Sequence, residues 1–425
     1  MKKTIALQVK GAVYGMIALA CALTAASLPL KAQALSTSWV ELGDGGQAIA
    51  RIVVATVSDC PALIANGKSM AMAPRVPPPT GLHVACQATI SPGARSASIN
   101  GQVLHLPKPN PKRIVVIGDT GCRIKDQRIQ NCNDVNAWPF LEIANDAAQD
   151  RPNLVIHVGD FLYRESPCPA SASKECGGTP NGDNWDAWNA DFFTPSAKLL
   201  AAAPWVFARG NHESCERSWR GWFYYLDPRD WTGTCDQYSK PFVVTLGKSE
   251  FAVFDSSEAG EEQLDAKQTS IYAAQLASLH LRNAWLVTHI PFWGFKAGEA
   301  SGPPVALSAS LEEAWNQAAP AGIRMILSGH IHLFEFVTFD RGRPPQLVAG
   351  TGGTQLAMSI DAPAAGTGVR GAAVTNSETQ QKWGYTLLER KTRSWTLTLE
   401  SRHKALVTCK VSGASSACKL PPEVE

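Results

Sequence analysis

An α/β core preceded by a small β region is the fold class that this 425-residue sequence predicts. Two observations carry it. Residues 38–112 are short β-branched runs separated by Gly and Pro, with no helical period. Beyond the link Pro107-Lys108-Pro109-Asn110-Pro111, apolar strand-like runs alternate with helical stretches, and each run ends in a polar or glycine-containing turn. Composition agrees: 45% hydrophobic and 18% charged residues exclude a disordered or coiled-coil chain.

In chain order, residues 1–34 come first. They carry Lys2, Lys3, Lys10 and Lys31 and no acid, and an apolar run over residues 11–30 ends in the small-x-small triplet Ala32-Gln33-Ala34. This pattern predicts a secretory signal peptide and an exported, periplasmic or extracellular protein. An uncleaved membrane anchor is the competing reading, weakened by Thr24, Ser27 and Pro29 within the run. No later segment is long and apolar enough to span a bilayer, so no span is expected after cleavage. The 39 basic residues barely exceed the 37 acidic ones, and loss of the four leader lysines reverses the sign. Such a balance gives no drive toward nucleic acid, and no nucleic-acid partner is expected.

Residues 35–110 are expected to form a β-sandwich-like domain, from runs such as Ile52-Val53-Val54-Ala55, Leu82-His83-Val84-Ala85 and Gln102-Val103-Leu104-His105. Residues 111–425 are expected to form the catalytic domain. There the strands are residues 113–117, 154–158, 205–208, 242–246, 251–255, 284–288 and 324–327. Helices are expected near 136–148, 185–202, 263–279 and 311–318, and the tail from Gly384 reads as antiparallel strands.

The cysteines support export. Without Cys21 their number is even, and they fall into close sequential pairs: Cys60 with Cys86, Cys122 with Cys132, Cys168 with Cys176, Cys215 with Cys235, and Cys409 with Cys418. None has zinc-ribbon spacing, so five short-loop disulfides are expected.

Five polar clusters sit just past strands: Gly118-Asp119-Thr120-Gly121, Gly159-Asp160-Phe161-Leu162-Tyr163, Gly210-Asn211-His212-Glu213, Thr288-His289-Ile290-Pro291 and Gly329-His330-Ile331-His332. In α/β sheets the loops at strand C-terminal ends share one crevice, so these clusters can meet. They offer carboxylates, a phenol, an amide and imidazoles, a donor set suited to iron, zinc or manganese.

The ordered set GDxG, GDxxY, GNHE, HxP and GHxH resembles the calcineurin-like metallophosphoesterase superfamily over residues 113–353, and the GDxxY tyrosine resembles its purple acid phosphatase branch. The resemblance implies a four-layer fold of two packed mixed β-sheets flanked by helices. It implies Asp119, Tyr163 and His332 on a first metal, Asn211, His289 and His330 on a second, and Asp160 bridging both. In Gly-His-x-His, alternate side chains of an extended segment point the same way, so each His can serve one metal. Gly121 stands where many superfamily members have a His, and Tyr163 is placed to fill that coordination position. A phenol with an ordinary pKa near 10 ionises most readily beside a strongly acidic ion. The expected cofactors are therefore Fe(III) plus a divalent Fe, Zn or Mn. A packed aromatic is the competing reading of Tyr163.

The implied function is a secreted dinuclear phosphoesterase, hydrolysing small-molecule phosphate esters by attack of a metal-bound hydroxide, with phosphomonoesters favoured. His212 is the candidate general acid or phosphate contact, Glu213 an orienting residue, and Asp255 a supporting one. The purple acid phosphatase pattern has further histidines after His289, where this chain has Phe292-Trp293-Gly294-Phe295. Trp293 is then either core or the wall of an apolar leaving-group pocket. Gly350-Thr351-Gly352-Gly353 lacks a P-loop lysine and reads as a tight turn beside the metals. The alternatives are a phosphodiesterase acting on nucleotides or other diesters, and a non-catalytic secreted binding protein with a vestigial metal site. The sequence leaves oligomeric state open.

Overall fold

The computed structural model describes Met1 and residues 37–298, 305–392, 394–412 and 415–420. The expected signal peptide lies outside the described residues. Among the described residues, no helix is long and apolar enough to cross a membrane.

Two large mixed sheets form the centre. The first has eleven strands, and its middle is the parallel set Arg113–Ile117, Leu154–His157 and Trp205–Phe207. The second has eight, with Ser249–Val253, Ala284–Val287, Ile323–Ser328 and Gln346–Ala349 parallel at its centre. The period-2 alternation of buried strands explains the layering. In Arg113–Ile117, Ile114 and Val116 point into a core shared with Val253, Val287 and Leu327 of the second sheet, while Val115 and Ile117 point to the opposite face. That face is covered by the helices Phe140–Gln149 and Thr194–Ala202. The outer face of the second sheet packs on Ala266–Ala277 and Ala309–Ala318. The result is helix, sheet, sheet, helix, as expected. Each fully buried aliphatic side chain in these layers contributes on the order of 1.5–3 kcal/mol.

The predicted elements appear close to their expected places. The helix expected near 263–279 spans Ala266–Ala277, and the Asp265 side chain caps it by accepting the Gln268 N–H at 2.9 Å. The segment 185–202 is helical throughout, with a wide π turn at Asn189–Phe193. The tail forms the antiparallel strands Tyr385–Arg390, Trp395–Ser401, Lys404–Ser412 and Ser415–Lys419.

The N-terminal region is all β, but the boundary near residue 110 does not divide two bodies. Residues Ser36–Glu425 form one compact unit. Ser38–Leu42 pairs in parallel with Trp205–Phe207, and Ala48–Val54, Val84–Thr89 and Ala73–Pro74 continue the eleven-stranded sheet. A separate four-stranded sheet takes the rest. The seam is polar and closed: Arg51 pairs with Glu41 at 2.6 Å and donates to the carbonyls of Tyr225 and Asp227, each at 2.7 Å. All five sequential disulfides are present.

Candidate metal centre

The central strands of both sheets deliver their C-terminal turns to one place. Asp119 follows Arg113–Ile117, Asp160 follows Leu154–His157, Asn211 follows Trp205–Phe207, His289 follows Ala284–Val287, and His330 follows Ile323–Ser328. Asp119, Asp160 and His330 sit in the left-handed backbone region, with φ of 57°, 61° and 71°. Non-glycine residues hold such angles only where the surroundings over-determine them, which is frequent at functional sites.

The side chains form two overlapping groups. Asp160, His289 and His330 place one donor atom each within 4.8 Å of one another, and so do Asp119, Asp160 and His332. Asn211 joins the first group, its Oδ1 lying 2.9 Å from His289 Nε2 and 3.0 Å from His330 Nδ1. Tyr163 joins the second, with its Oη 2.6 Å from Asp160 Oδ2, 3.1 Å from Asp119 Oδ1 and 2.9 Å from His332 Nε2. All seven residues expected at the metals are thus brought together. Two close approaches permit this. A Cβ at Gly159, where φ is 99°, would lie 2.5 Å from His289 Nδ1. One at Gly121 would lie 2.6 Å from the Phe161 carbonyl oxygen and 2.8 Å from Tyr163 N, so the Tyr163 segment occupies the space a side chain would need.

The donor set fits cations. His289 donates Nδ1–H to the Val158 carbonyl oxygen at 2.8 Å, and His332 Nδ1 faces the Gln355 carbonyl oxygen at 2.7 Å. The Nε2 atoms of both rings therefore turn toward oxygen acceptors. His330 is held the opposite way, with Nε2 on Glu261 Oε1 at 3.1 Å and Nδ1 inward. Such outer hydrogen bonds orient metal-binding imidazoles. Burial opposes charge on His289, but Asp160 and Asp119 outweigh it and push its pKa up to about 9. Burial likewise opposes ionisation of Asp160, yet His289, His212 and the Tyr163 hydroxyl hold its carboxyl well below the usual range. Burial, then Asp160 and Asp119, raise the Tyr163 phenol well above its ordinary value. Two metal ions sharing Asp160 would resolve this crowding of lone pairs.

A supporting layer surrounds these donors. Glu213 is fully buried and accepts N–H groups from Asp160 (3.1 Å), Phe161 (2.8 Å), Leu162 (3.1 Å) and Gly210 (3.1 Å), which is the orienting role expected of it. Burial, then the Asp160 charge, push its pKa up to about 8. Asp255 accepts from Arg209 at 3.1 Å and from the Ser257 N–H at 3.0 Å. Sequence reasoning missed Asp191, which accepts the Tyr163 N–H at 2.8 Å and the Cys122 N–H at 3.1 Å and pairs with Arg164. It also missed Ser256, whose Oγ accepts the Ile290 N–H at 2.8 Å, and Glu165. No local signal marks these residues, because each acts on a segment distant in sequence.

His212 packs against Tyr163 with the rings tilted by 37° and their centroids 3.7 Å apart, and its Nε2 lies 3.8 Å from Asp160 Oδ2. Its Nδ1 contacts Glu165, and Arg217 Nη2 lies 2.7 Å away. Burial lowers its pKa to about 4 despite Asp160 and Glu165. His212, Asp160, Asn211, His330 and His332 open on a cavity of about 670 Å³, which also receives the cations Arg123, Lys125, Arg128, Arg217 and Lys296. Trp293 does not reach it: the ring is 1% exposed and packs on Phe292, Trp315 and Phe339, so the leaving-group-wall alternative is corrected to core packing. The 350–353 turn lies against the donors, Gly352 N–H bonding to the Gly118 carbonyl at 2.9 Å.

Comparison with known proteins agrees with this geometry. The fold is similar to that of the purple acid phosphatase PPD1 from yellow lupin (Lupinus luteus) seeds, with TM-score 0.56 and 14% identity over 88% of this chain and 74% of that one. It is also similar to PhoD, with TM-score 0.51 and 10% identity over 89% of this chain and 90% of that one. Among curated proteins no sequence matches. The sequence profile of the calcineurin-like phosphoesterases matches residues 112–334, which include every donor described above. This chain therefore belongs to the calcineurin-like phosphoesterase family and is a metal-dependent phosphoester hydrolase.

Proposed function

We propose that the protein is an exported phosphomonoesterase with a mixed-metal centre of Fe(III) and a divalent ion. Asp119, Tyr163 and His332 would hold the first ion, Asn211, His289 and His330 the second, and Asp160 both. Bound there, the ions would supply electrophilic stabilisation of the phosphoryl oxygens and a water made acidic enough to ionise near neutral pH. The observation that carries this reading is the convergence of the Tyr163 hydroxyl on Asp119, Asp160 and His332, with the Phe161–Tyr163 backbone packed against Gly121. A phenol so disfavoured as its anion becomes a ligand only beside a strongly acidic ion, which supports Fe(III).

The chain's own residues do the rest. Glu213 holds the backbone of residues 160–162 so that Asp160 and Tyr163 face the same point. Asn211 and the two inward imidazole nitrogens define the other half of the site. His212, braced by Glu165 and Arg217, stands at the cavity wall, where it contacts phosphate or exchanges a proton with the leaving group. The cations lining the cavity complement a dianionic monoester better than a singly charged diester. Five disulfides support export.

Elemental analysis, a visible spectrum and an assay with p-nitrophenyl phosphate and its bis-ester test this together. Iron, a tyrosinate charge-transfer band and faster monoester turnover are expected. Absence of iron removes the Fe(III)–Tyr163 assignment, faster bis-ester turnover makes the enzyme a diesterase, and no hydrolysis of either by metal-replete protein returns the binding-protein alternative.

A further inference from the structure

The stretch between Cys122 and Cys132 supplies three of the cavity's cations, Arg123, Lys125 and Arg128. It forms a short hairpin of Ile124–Lys125 and Arg128–Ile129, closed at its base by the Cys122–Cys132 disulfide. The base is fixed to the Tyr163 segment: Ile124 N–H bonds to the Tyr163 carbonyl at 3.0 Å, and Glu165 N–H to the Ile124 carbonyl at 3.0 Å. Cys122 N–H bonds to Asp191 Oδ1 at 3.1 Å. Gln130 braces the return strand, accepting the Arg123 N–H at 3.1 Å and donating to the carbonyls of Ala137 (2.7 Å) and Gly353 (2.9 Å).

From this rigid base Arg123, Lys125, Asp126 and Arg128 line the same cavity as the metal donors. Arg123 lies over the Tyr163 ring, its guanidinium carbon 5.2 Å from the centroid, and its buried Nε has no hydrogen-bond partner. Among the described residues, Lys125 pairs with one carboxylate, the mostly buried Glu165 at 3.3 Å. Among the described residues, neither Arg123 nor Arg128 has a carboxylate partner. Two guanidiniums without a carboxylate partner in a cavity of this size are a ready site for a second anion, since guanidinium bonds carboxylate and phosphate bidentately. The disulfide and the backbone bonds fix most of the hairpin before any ligand binds, which limits the ordering cost.

We propose that the hairpin is a distal anion clamp, in which Arg123, Lys125 and Arg128 grip a second phosphate or a carboxylate on the leaving group. The substrate class is then a small phosphate ester with an additional anionic group, not a simple alkyl or aryl phosphate. The inference rests on the phosphoesterase reading of the adjoining centre.

The test measures kcat/KM for glucose 6-phosphate, glucose 1,6-bisphosphate and 6-phosphogluconate, with p-nitrophenyl phosphate as reference, on the wild type, Arg128→Ala, Arg128→Lys and an Arg123→Ala/Arg128→Ala double variant. A preference of about tenfold or more is expected for at least one of the two probes with a second anionic group over glucose 6-phosphate. Whichever probe shows it identifies the second anion. The preference should fall toward unity in the alanine variants and persist in part in Arg128→Lys. Equal kcat/KM for all three sugar esters with p-nitrophenyl phosphate hydrolysed overturns the clamp alone, as does a preference that survives the double variant. Wild type that hydrolyses none of the four overturns the phosphoesterase reading with it.

Discussion

Replacing Glu213 by Gln exchanges one carboxyl oxygen for an NH2 group, with almost no change in shape. The native carboxylate accepts four N–H groups, two on each oxygen: Phe161 and Leu162 on Oε1, Asp160 and Gly210 on Oε2. Gln offers one acceptor oxygen, so two N–H groups lose their partner and face an NH2 in a fully buried site. At about 1–3 kcal/mol for each orphaned buried donor, the cost is about 2–6 kcal/mol. Unfolding entropy of about 2.1 cal/mol/K per residue makes about 0.9 kcal/mol/K for a 425-residue chain, so Tm should fall by about 2–7 °C. The larger consequence is local. Asp160 holds a φ of 61° beside the released bonds, and relaxation there moves a donor common to both metal groups. Metal affinity should fall about 10–100-fold, the usual effect of losing an outer bond at a metal site. Calorimetry of metal-free protein gives the first quantity, and metal competition titration the second. Unchanged Tm and unchanged metal affinity in Glu213→Gln would refute the reasoning.

The remaining predictions concern other layers. His212→Ala should lower kcat in phosphate release by about 10²–10⁴-fold while elemental analysis finds both metals retained; full activity would remove His212 from the chemistry. Glu335 is fully buried, its Oε2 has no partner, and burial pushes its pKa from 4.5 up to about 8 against one bond from the Phe295 N–H. The folded state therefore holds that proton more tightly than the unfolded one. Its contribution is complete below the unfolded pKa and is lost as pH rises toward about 8, at up to about 1.4 kcal/mol per pH unit. Glu335→Gln should unfold with a correspondingly weaker decline than wild type in denaturant titrations from about pH 5 to about pH 9. Parallel declines would exclude Glu335 as the source. Cys215→Ser/Cys235→Ser opens a loop with sequence separation 20 and should cost about 3 kcal/mol in the chain-entropy model, read by denaturant unfolding under non-reducing conditions.

The sequence alone determined the strand-end donors and the disulfide pairs, because both are written in local text. Four candidate donors, Asp119, Asp160, Asn211 and His330, directly follow a glycine past an apolar run, and each of the ten paired cysteines has its partner 8 to 26 residues away. The alternation of buried strands and amphipathic helices was legible for the same reason, since both declare themselves by period, whereas the two-sheet layering was implied by the family resemblance. Tertiary structure decided what depends on distant pairing. Residues 38–42 read as part of a separate β domain, yet the strand finds its parallel partner at Trp205–Phe207, where Glu41 and Arg51 can bury their charges together. Asp191 and Ser256 carry no motif, yet each satisfies N–H groups next to a candidate ligand. Trp293 was ambiguous in sequence, and packing against Trp315 and Phe339 placed it in the core. The hairpin of Arg123, Lys125 and Arg128 gains meaning only from the cavity it overhangs. Chemistry that needs a residue type at a strand end is visible in one dimension, whereas hydrogen-bond satisfaction and charge placement are properties of three-dimensional neighbours.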